Sequence, residues 1–142
     1  MYDQSYATGL DQRTFDDPHE FYLDHYRSPR NRRLLFEPEA EGTAEAANGA
    51  VLTIQLRLGL DDFDQLRIAD AVFWSHRCGV ALAYASLLTD LLPGLTVAEA
   101  AALPPEALLS RFGASAIAGA SAVLAIAALR RALAAARIPA TG

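Results

Sequence analysis

The stretch VLTIQLRLGLDDFDQLRIADAVFW, residues 51–74, decides the fold. Over residues 51–58 apolar side chains alternate with polar ones, which is the period of a half-buried β-strand. GLDDFDQ, residues 59–65, has the composition of a turn, and the alternation resumes at Leu66 and Ile68. The stretch therefore predicts an antiparallel β-hairpin.

The sequence before the hairpin predicts a helix and a weaker strand. DDPHEFYLDHY, residues 16–26, places acidic residues at a helix start with Pro18 in the first turn, and Pro29 ends the helix because it disfavours helical geometry at Ser28. Residues 36–50 are rich in Glu, Ala and Gly without a clear period. They predict a loop or a weak edge strand.

The sequence after the hairpin predicts helices only. The period becomes helical at Gly79 and stops at Gly94, and two short helices separated by Pro104 and Pro105 follow. A last helix is predicted from about Ser115 to Arg137, with three arginines in its later turns. This order predicts an α+β domain, an antiparallel sheet of about three strands with helices packed on one face.

Composition limits the function classes. With 142 residues and 52% hydrophobic content, we expect a flexible tail at residues 1–15 and one domain at 16–142. A net charge of -5 argues against nucleic-acid binding. The N-terminus has no signal-peptide pattern, which predicts a cytoplasmic protein. Residues 112–129 carry no charge but are rich in Ala and Gly, so a buried packing helix is favoured over a membrane span.

Cys78 is the only cysteine, so an internal disulfide is excluded. Its predicted place at a helix N-terminus favours the thiolate and a lowered pKa, while inert core packing is the alternative. His76 lies two residues earlier, and alternate strand residues share a face, so its ring could approach the thiol. A zinc site using both with ligands from outside the chain stays open. His25 is predicted to be a capping or surface residue, and Trp74 a core or interface residue.

Basic residues cluster between the first helix and the hairpin, at Arg27, Arg30, Arg32 and Arg33. A solvated surface is the simpler interpretation, and a docking patch for an acidic partner is the alternative. Hydrolase nucleophile motifs, phosphate-binding glycine loops and metalloprotease motifs are absent from the sequence, which predicts a protein that is not an enzyme.

Three stretches carry a resemblance to a known family. YLDHYRSPRNRRLL (22–35), ANGAVLTIQLRL (47–58) and RCGVALAYASLLTDLLPGLTVAEA (77–100) are similar to the IscU/SufU/NifU N-terminal family of iron–sulfur cluster assembly scaffolds. The family's D-H-Y-x-x-P-R-N element is present without change, and the resemblance extends from about residue 16 to residue 137. It implies an α+β scaffold that assembles a [2Fe-2S] cluster on three cysteines and an aspartate or histidine, with sulfur supplied by a cysteine desulfurase.

This chain retains one family cysteine, Cys78, as its implied metal ligand. The other ligand positions hold residues that are poor iron ligands, namely Asn48, Ala50 and either Ala120 or Ser121. One chain is therefore not expected to hold a cluster tightly by itself. We expect an atypical scaffold or an accessory subunit in which Cys78 either accepts a persulfide or donates one ligand to a cluster shared across subunits. In a homodimer, His76, glutathione or a partner cysteine would have to complete the ligands of that cluster. The alternative is a metal-free module that docks on a desulfurase or another assembly factor, with the arginine cluster as the first candidate surface.

Overall fold

The computed structural model describes residues 17–113 and 116–137, with the backbone alone at 116–118. The predicted tail at 1–15 and the predicted helix start at Ser115 lie outside these residues. The chain forms these helices and strands in order: α1 (Pro18–Arg27), β1 (Ala40–Glu45), β2 (Val51–Leu60), β3 (Leu66–His76), α2 (Ala81–Leu91), α3 (Val97–Ala101), α4 (Glu106–Phe112) and α5 (Ala116–Ala134).

The three strands form one antiparallel sheet in the order β1-β2-β3, so the predicted hairpin is confirmed. Alternation in β2 places one set of side chains in the core, namely Leu52, Ile54, Leu56 and Leu58. A register shift occurs between Arg57 and Leu58. The weak edge strand predicted within residues 36–50 is β1.

Helix α5 covers the core face of the sheet and packs directly on β1. Its buried positions include four alanines, namely Ala122, Ala125, Ala128 and Ala132. Small side chains let the two backbones approach, and Gly42 of β1 marks the closest point, since a Cβ atom there would lie 2.1 Å from the backbone nitrogen of Ala132. The predicted packing helix is thus confirmed, and no helix of the described residues is long and apolar enough to cross a membrane.

The end of α5 differs from the prediction. The helix ends at Ala134, so Arg137 lies beyond it. The backbone N–H of Arg137 donates to the carbonyl of Glu39 at 2.7 Å, and its side chain donates to the carbonyl of Pro38 at 2.5 Å. These tertiary contacts replace the helical hydrogen bond that the prediction assigned to this residue.

The segment 31–38 crosses the outer face of the sheet, the face opposite α5. It starts at the edge of β3, where the N–H of Phe73 donates to the carbonyl of Asn31. It then passes over β2, where the N–H of Leu35 donates to Gln55 Oε1 at 2.7 Å. Gln55 was predicted on the polar side of the strand, yet it is only 7% exposed. The segment buries it and satisfies its side-chain oxygen.

His25 anchors the start of this segment, and its predicted surface or capping role is wrong. The ring is 2% exposed and lies against Phe21 and Phe112, with centroid distances of 5.0 and 5.6 Å. Its Nδ1 lies 2.7 Å from Ser86 Oγ, which also accepts from the backbone N–H of Arg30 at 2.8 Å. Burial, together with the nearby Arg30 charge, lowers the pKa of His25 to about 4. The ring is therefore neutral at neutral pH.

Candidate functional site

Cys78 lies in the short connection between the sheet and α2. Strand β3 ends at His76, Arg77 takes a left-handed conformation with φ 60°, and α2 starts at Ala81, whose N–H donates to the carbonyl of Cys78. The half-buried thiol donates to the carbonyl of Val51 at 3.2 Å. The predicted position just before a helix is confirmed.

An open pocket of about 490 Å³ surrounds the thiol. It is lined by Asn48, Arg77, Cys78, Gly79, Val80, Ala120 and Ser121. Three parts of the chain that are far apart in sequence meet here, which are the β1–β2 turn, the connection before α2 and the first turns of α5. Four residues predicted at ligand positions of the family line it, namely Asn48, Cys78, Ala120 and Ser121. Ala50, the fifth, is buried and does not line the pocket.

The pKa of the Cys78 thiol is raised, so the predicted lowering is wrong. Burial is the main cause, because it penalises the charged thiolate. Backbone hydrogen bonding at His76 and Val51 and the positive charge of Arg32 act in the opposite direction but do not compensate. The thiol at rest is therefore a weaker nucleophile than the helix-terminus argument predicted.

His76 does not follow the geometry that the strand pattern suggested. The left-handed Arg77 ends the alternation before Cys78, so the two side chains are not placed on one strand face. His76 is exposed and does not line the pocket. The His76 atom that accepts from the thiol is its backbone carbonyl oxygen, at 3.7 Å from Sγ, and not a ring nitrogen.

The donor set of the pocket is poor in metal ligands. Within residues 17–113 and 116–137, no group of three or more His, Cys, Asp or Glu residues could hold a metal ion. Cys78 supplies one sulfur, while Asn48 and Ser121 offer an amide and a hydroxyl, which bind iron weakly compared with thiolate. A cluster carried here as cargo would need ligands from outside the chain.

The arginine cluster is partly neutralised. Arg30 pairs with Asp24, and Arg33 donates to both carboxylate oxygens of Asp70 at 3.1 and 3.0 Å. Arg27 is exposed and has no ion pair in the described chain, and the Arg32 guanidinium lies 4.8 Å from the ring centroid of Trp74. Arg27 and Arg32 are thus the members of the cluster whose charges no carboxylate of the described chain offsets.

Trp74 is a surface residue, so of its two predicted places the core is wrong, while the interface stays a prediction. The side chain is 48% exposed on the outer face of the sheet, in the same register as Thr53. Its partner in the structure is the Arg32 guanidinium, and a ring–cation contact of this kind stabilises by roughly 0.5–1 kcal/mol at exposed sites.

Arg77 is the pocket residue that the sequence analysis missed. It lines the pocket, and its left-handed backbone is uncommon for a residue other than glycine. The signal available in the sequence is its place next to Cys-Gly, where a strand pattern changes to a helical one.

The fold and pocket define a small α+β domain with one thiol in a depression between sheet and helices. A profile of the NifU-like N terminal domain family matches residues 18–138. The chain belongs to this family, whose scaffolds serve iron–sulfur cluster assembly and are generally not enzymes.

Relatives in other organisms carry related names. The mitochondrial iron sulfur cluster assembly protein 1 of Debaryomyces hansenii is 35% identical over 94 residues, which are 63% of this chain and 51% of that protein. The iron-sulfur cluster assembly scaffold protein IscU of Haemophilus influenzae is 34% identical over 88 residues, or 59% of this chain and 67% of that protein. The match thus spans about half the length of the mitochondrial relative.

Solved structures share the fold. The N-terminal part of a NifU-like protein from Brucella abortus aligns with a TM-score of 0.64 over 87% of this chain and 96% of that chain, at 17% identity. A putative scaffold protein for the SUF system from Fervidobacterium islandicum aligns with a TM-score of 0.62 over 80% and 94% of the two chains, at 15% identity. At these identities the likeness concerns the fold alone.

Proposed function

We propose that this chain takes part in iron–sulfur cluster assembly as an atypical scaffold or accessory subunit that acts through Cys78. The observation that carries the proposal is the meeting of Asn48, Cys78, Ala120 and Ser121 at one pocket. These are the positions at which the family resemblance implies cluster ligands. The cavity is retained, while its set of ligands is reduced to one thiol.

The chemistry open to Cys78 is acceptance of sulfur. Its thiolate attacks the terminal sulfur of a persulfide on a cysteine desulfurase, the S–S bond of the donor breaks, and the donor cysteine leaves as a thiolate. Cys78 then carries the persulfide, and no outside oxidant is required. Burial raises the pKa of Cys78, so the positive charge of Arg32 assists the step by favouring the thiolate.

The second role open to Cys78 is donation of one ligand to a cluster shared between subunits. A homodimer supplies two Cys78 thiolates, and a [2Fe-2S] cluster needs about four protein ligands. His76, glutathione or a partner cysteine would have to supply the others. Alternatively, Cys78 donates its thiolate as one ligand to a zinc ion whose other ligands come from outside the chain.

Anaerobic reconstitution with ferrous iron and sulfide tests the cluster role. We expect the wild type alone to show little colour and little bound iron, and Cys78→Ala to show none. A variant that combines Asn48→Cys with Ser121→Cys places three thiols around the pocket and should gain a visible chromophore within one chain. Replacing Ser121→Cys by Ala120→Cys in that variant decides which position of α5 faces the cargo.

Incubation with a desulfurase and its amino-acid substrate tests the sulfur-accepting role. Intact-mass measurement should show one added sulfur on the wild type and none on Cys78→Ala. The proposal is wrong if Cys78 acquires no sulfur and its removal changes neither iron binding nor assembly of clusters with a partner.

A docking module without metal is the second candidate, favoured by the unpaired charge of Arg27 and by Arg32, whose guanidinium lies over exposed Trp74. Arg27→Glu with Arg32→Glu should weaken capture by a desulfurase, while Arg130→Glu, on the exposed side of α5, should not. Arg30 is unsuitable for this test because it pairs with Asp24 inside the fold. Unchanged capture by the double variant would remove this candidate.

A further inference from the structure

The pocket beside Cys78 carries hydrogen-bond donors and a positive charge. Arg77 lines it and has neither a hydrogen bond nor an ion pair within residues 17–113 and 116–137. Asn48 accepts the N–H of Ala50 on Oδ1 at 3.0 Å, which leaves its amide donors without a partner in the same ranges. Among the described residues that line the pocket, none is acidic. The polar part of the pocket therefore matches an anion rather than a cation.

The two donors lie close together because of the backbone. Asn48 and Gly49 form the β1–β2 turn, with Gly49 at φ 92°. A Cβ atom on Gly49 would lie 3.9 Å from Arg77 Nη1, so the guanidinium rests over this turn next to Asn48. Arg77 itself sits at φ 60°, a conformation that is uncommon for a residue with a Cβ atom. The connection thus holds the guanidinium at the pocket wall.

Size and chemistry narrow the class of ligand. Pockets for small organic molecules typically measure about 300–1,000 Å³, and the cavity of about 490 Å³ falls in this range. A guanidinium binds a carboxylate through two parallel hydrogen bonds, and a neighbouring amide can donate a third. The apolar part of the lining, Val80 and Ala120, can contact a short carbon chain.

We propose that this pocket binds a small organic carboxylate of about tripeptide size, with Arg77 as its main contact and Asn48 beside it. The binding itself depends only on the pocket. Its use in bringing a donor molecule next to the Cys78 sulfur rests on the function proposed above.

Titration of the full chain with S-methylglutathione, which has two carboxylates and no free thiol, tests the proposal. Calorimetry or NMR shift changes at residues 48–50 and 77–80 give the dissociation constant. Arg77→Gln should weaken binding at least about tenfold, since a hydrogen bond to a charged group contributes roughly 1.5–3 kcal/mol. Arg130→Gln, which removes an exposed charge that does not line the pocket, should leave the dissociation constant unchanged.

Two further titrations show whether binding depends on Cys78 and whether it is specific for the organic carboxylate. Cys78→Ala should bind S-methylglutathione as the wild type does, so a failure of the sulfur-accepting function leaves this result intact. Inorganic phosphate should bind more weakly than the tripeptide. Absence of saturable binding, equal effects of Arg77→Gln and Arg130→Gln, or tighter binding of phosphate would each overturn the proposal. Arg77 is exposed at a turn, so Arg77→Gln should keep the fold, which thermal unfolding checks.

Discussion

Protonation of His25 should destabilise the fold as the pH falls. The ring is neutral in the folded state, with a pKa of about 4, because it is buried and faces the Arg30 charge, while Asp24 opposes the shift. An unfolded histidine titrates near pH 6.5. The unfolded chain therefore binds the proton more readily throughout the interval between these values. The stability that depends on neutral His25 is complete above about pH 6.5 and is lost as the pH falls toward about 4.

The expected loss follows from the two pKa values. Each unit of difference corresponds to about 1.4 kcal/mol, so the interval limits the full effect to about 3 kcal/mol. Between about pH 7 and about pH 5 the free energy of unfolding should decrease by about 2 kcal/mol, because this change in pH crosses only part of the interval between the two pKa values. That is a large fraction of the roughly 5–15 kcal/mol that stabilises a typical domain.

Urea denaturation at the two pH values measures this decrease. The wild type should lose about 2 kcal/mol more than His25→Gln, which keeps a polar side chain at the site but does not titrate there. His19→Gln, a matched change at an exposed position of α1, should behave as the wild type. Equal pH dependence in the wild type and His25→Gln would refute the reasoning.

A second measurement tests the same prediction without the His25→Gln variant. NMR titration of the His25 ring in the folded wild type should show a midpoint well below the ordinary value, near pH 4. A midpoint at or above the ordinary value would contradict a neutral ring held by Ser86, even if His25→Gln failed to fold.

Two other predictions concern packing and the thiol. Gly42→Ala should destabilise the fold by at least about 2 kcal/mol in chemical denaturation, because the new methyl meets the α5 backbone at Ala132, whereas Gly59→Ala, with open space around it, should cost less; equal costs would contradict the close approach. The pH profile of alkylation should place the Cys78 midpoint above that of an unperturbed thiol, and Arg32→Gln should move it further upward. A midpoint below the ordinary value, or no response to Arg32→Gln, would show that the thiol lies in different surroundings.

Local sequence pattern was sufficient to predict most of the helices and strands. Alternation over residues 51–58 predicted β2, and the same period after the turn predicted β3, because strand side chains alternate between a core face and an outer face. Pro18 and Pro29 bracketed α1 for equally local reasons, since proline suits a first helical turn and disfavours helix at the residue before it. The D-H-Y-x-x-P-R-N element was enough to indicate the family.

Contacts between residues far apart in sequence determine which polar side chains are buried, and the local sequence pattern does not predict this. His25 reads as a surface histidine in its helix, yet Phe21, Phe112 and Ser86 enclose it. Gln55 reads as a polar outer residue until the segment 31–38 covers it. In both cases burial depends on where another part of the chain passes, and no local period records that.

In the candidate site, too, some features follow from the sequence and others only from the fold. The sequence by itself identified Cys78 and the positions from which family ligands are missing, because those follow from residue identity and resemblance. Only the tertiary structure brought Asn48, Cys78 and Ser121 to one pocket, added Arg77 to its wall and raised the pKa of the thiol. The reason is physical. The pKa of a thiol depends on which charges lie near it in space and on how far it is removed from solvent. Both depend on how the β1–β2 turn, α2 and α5 pack together.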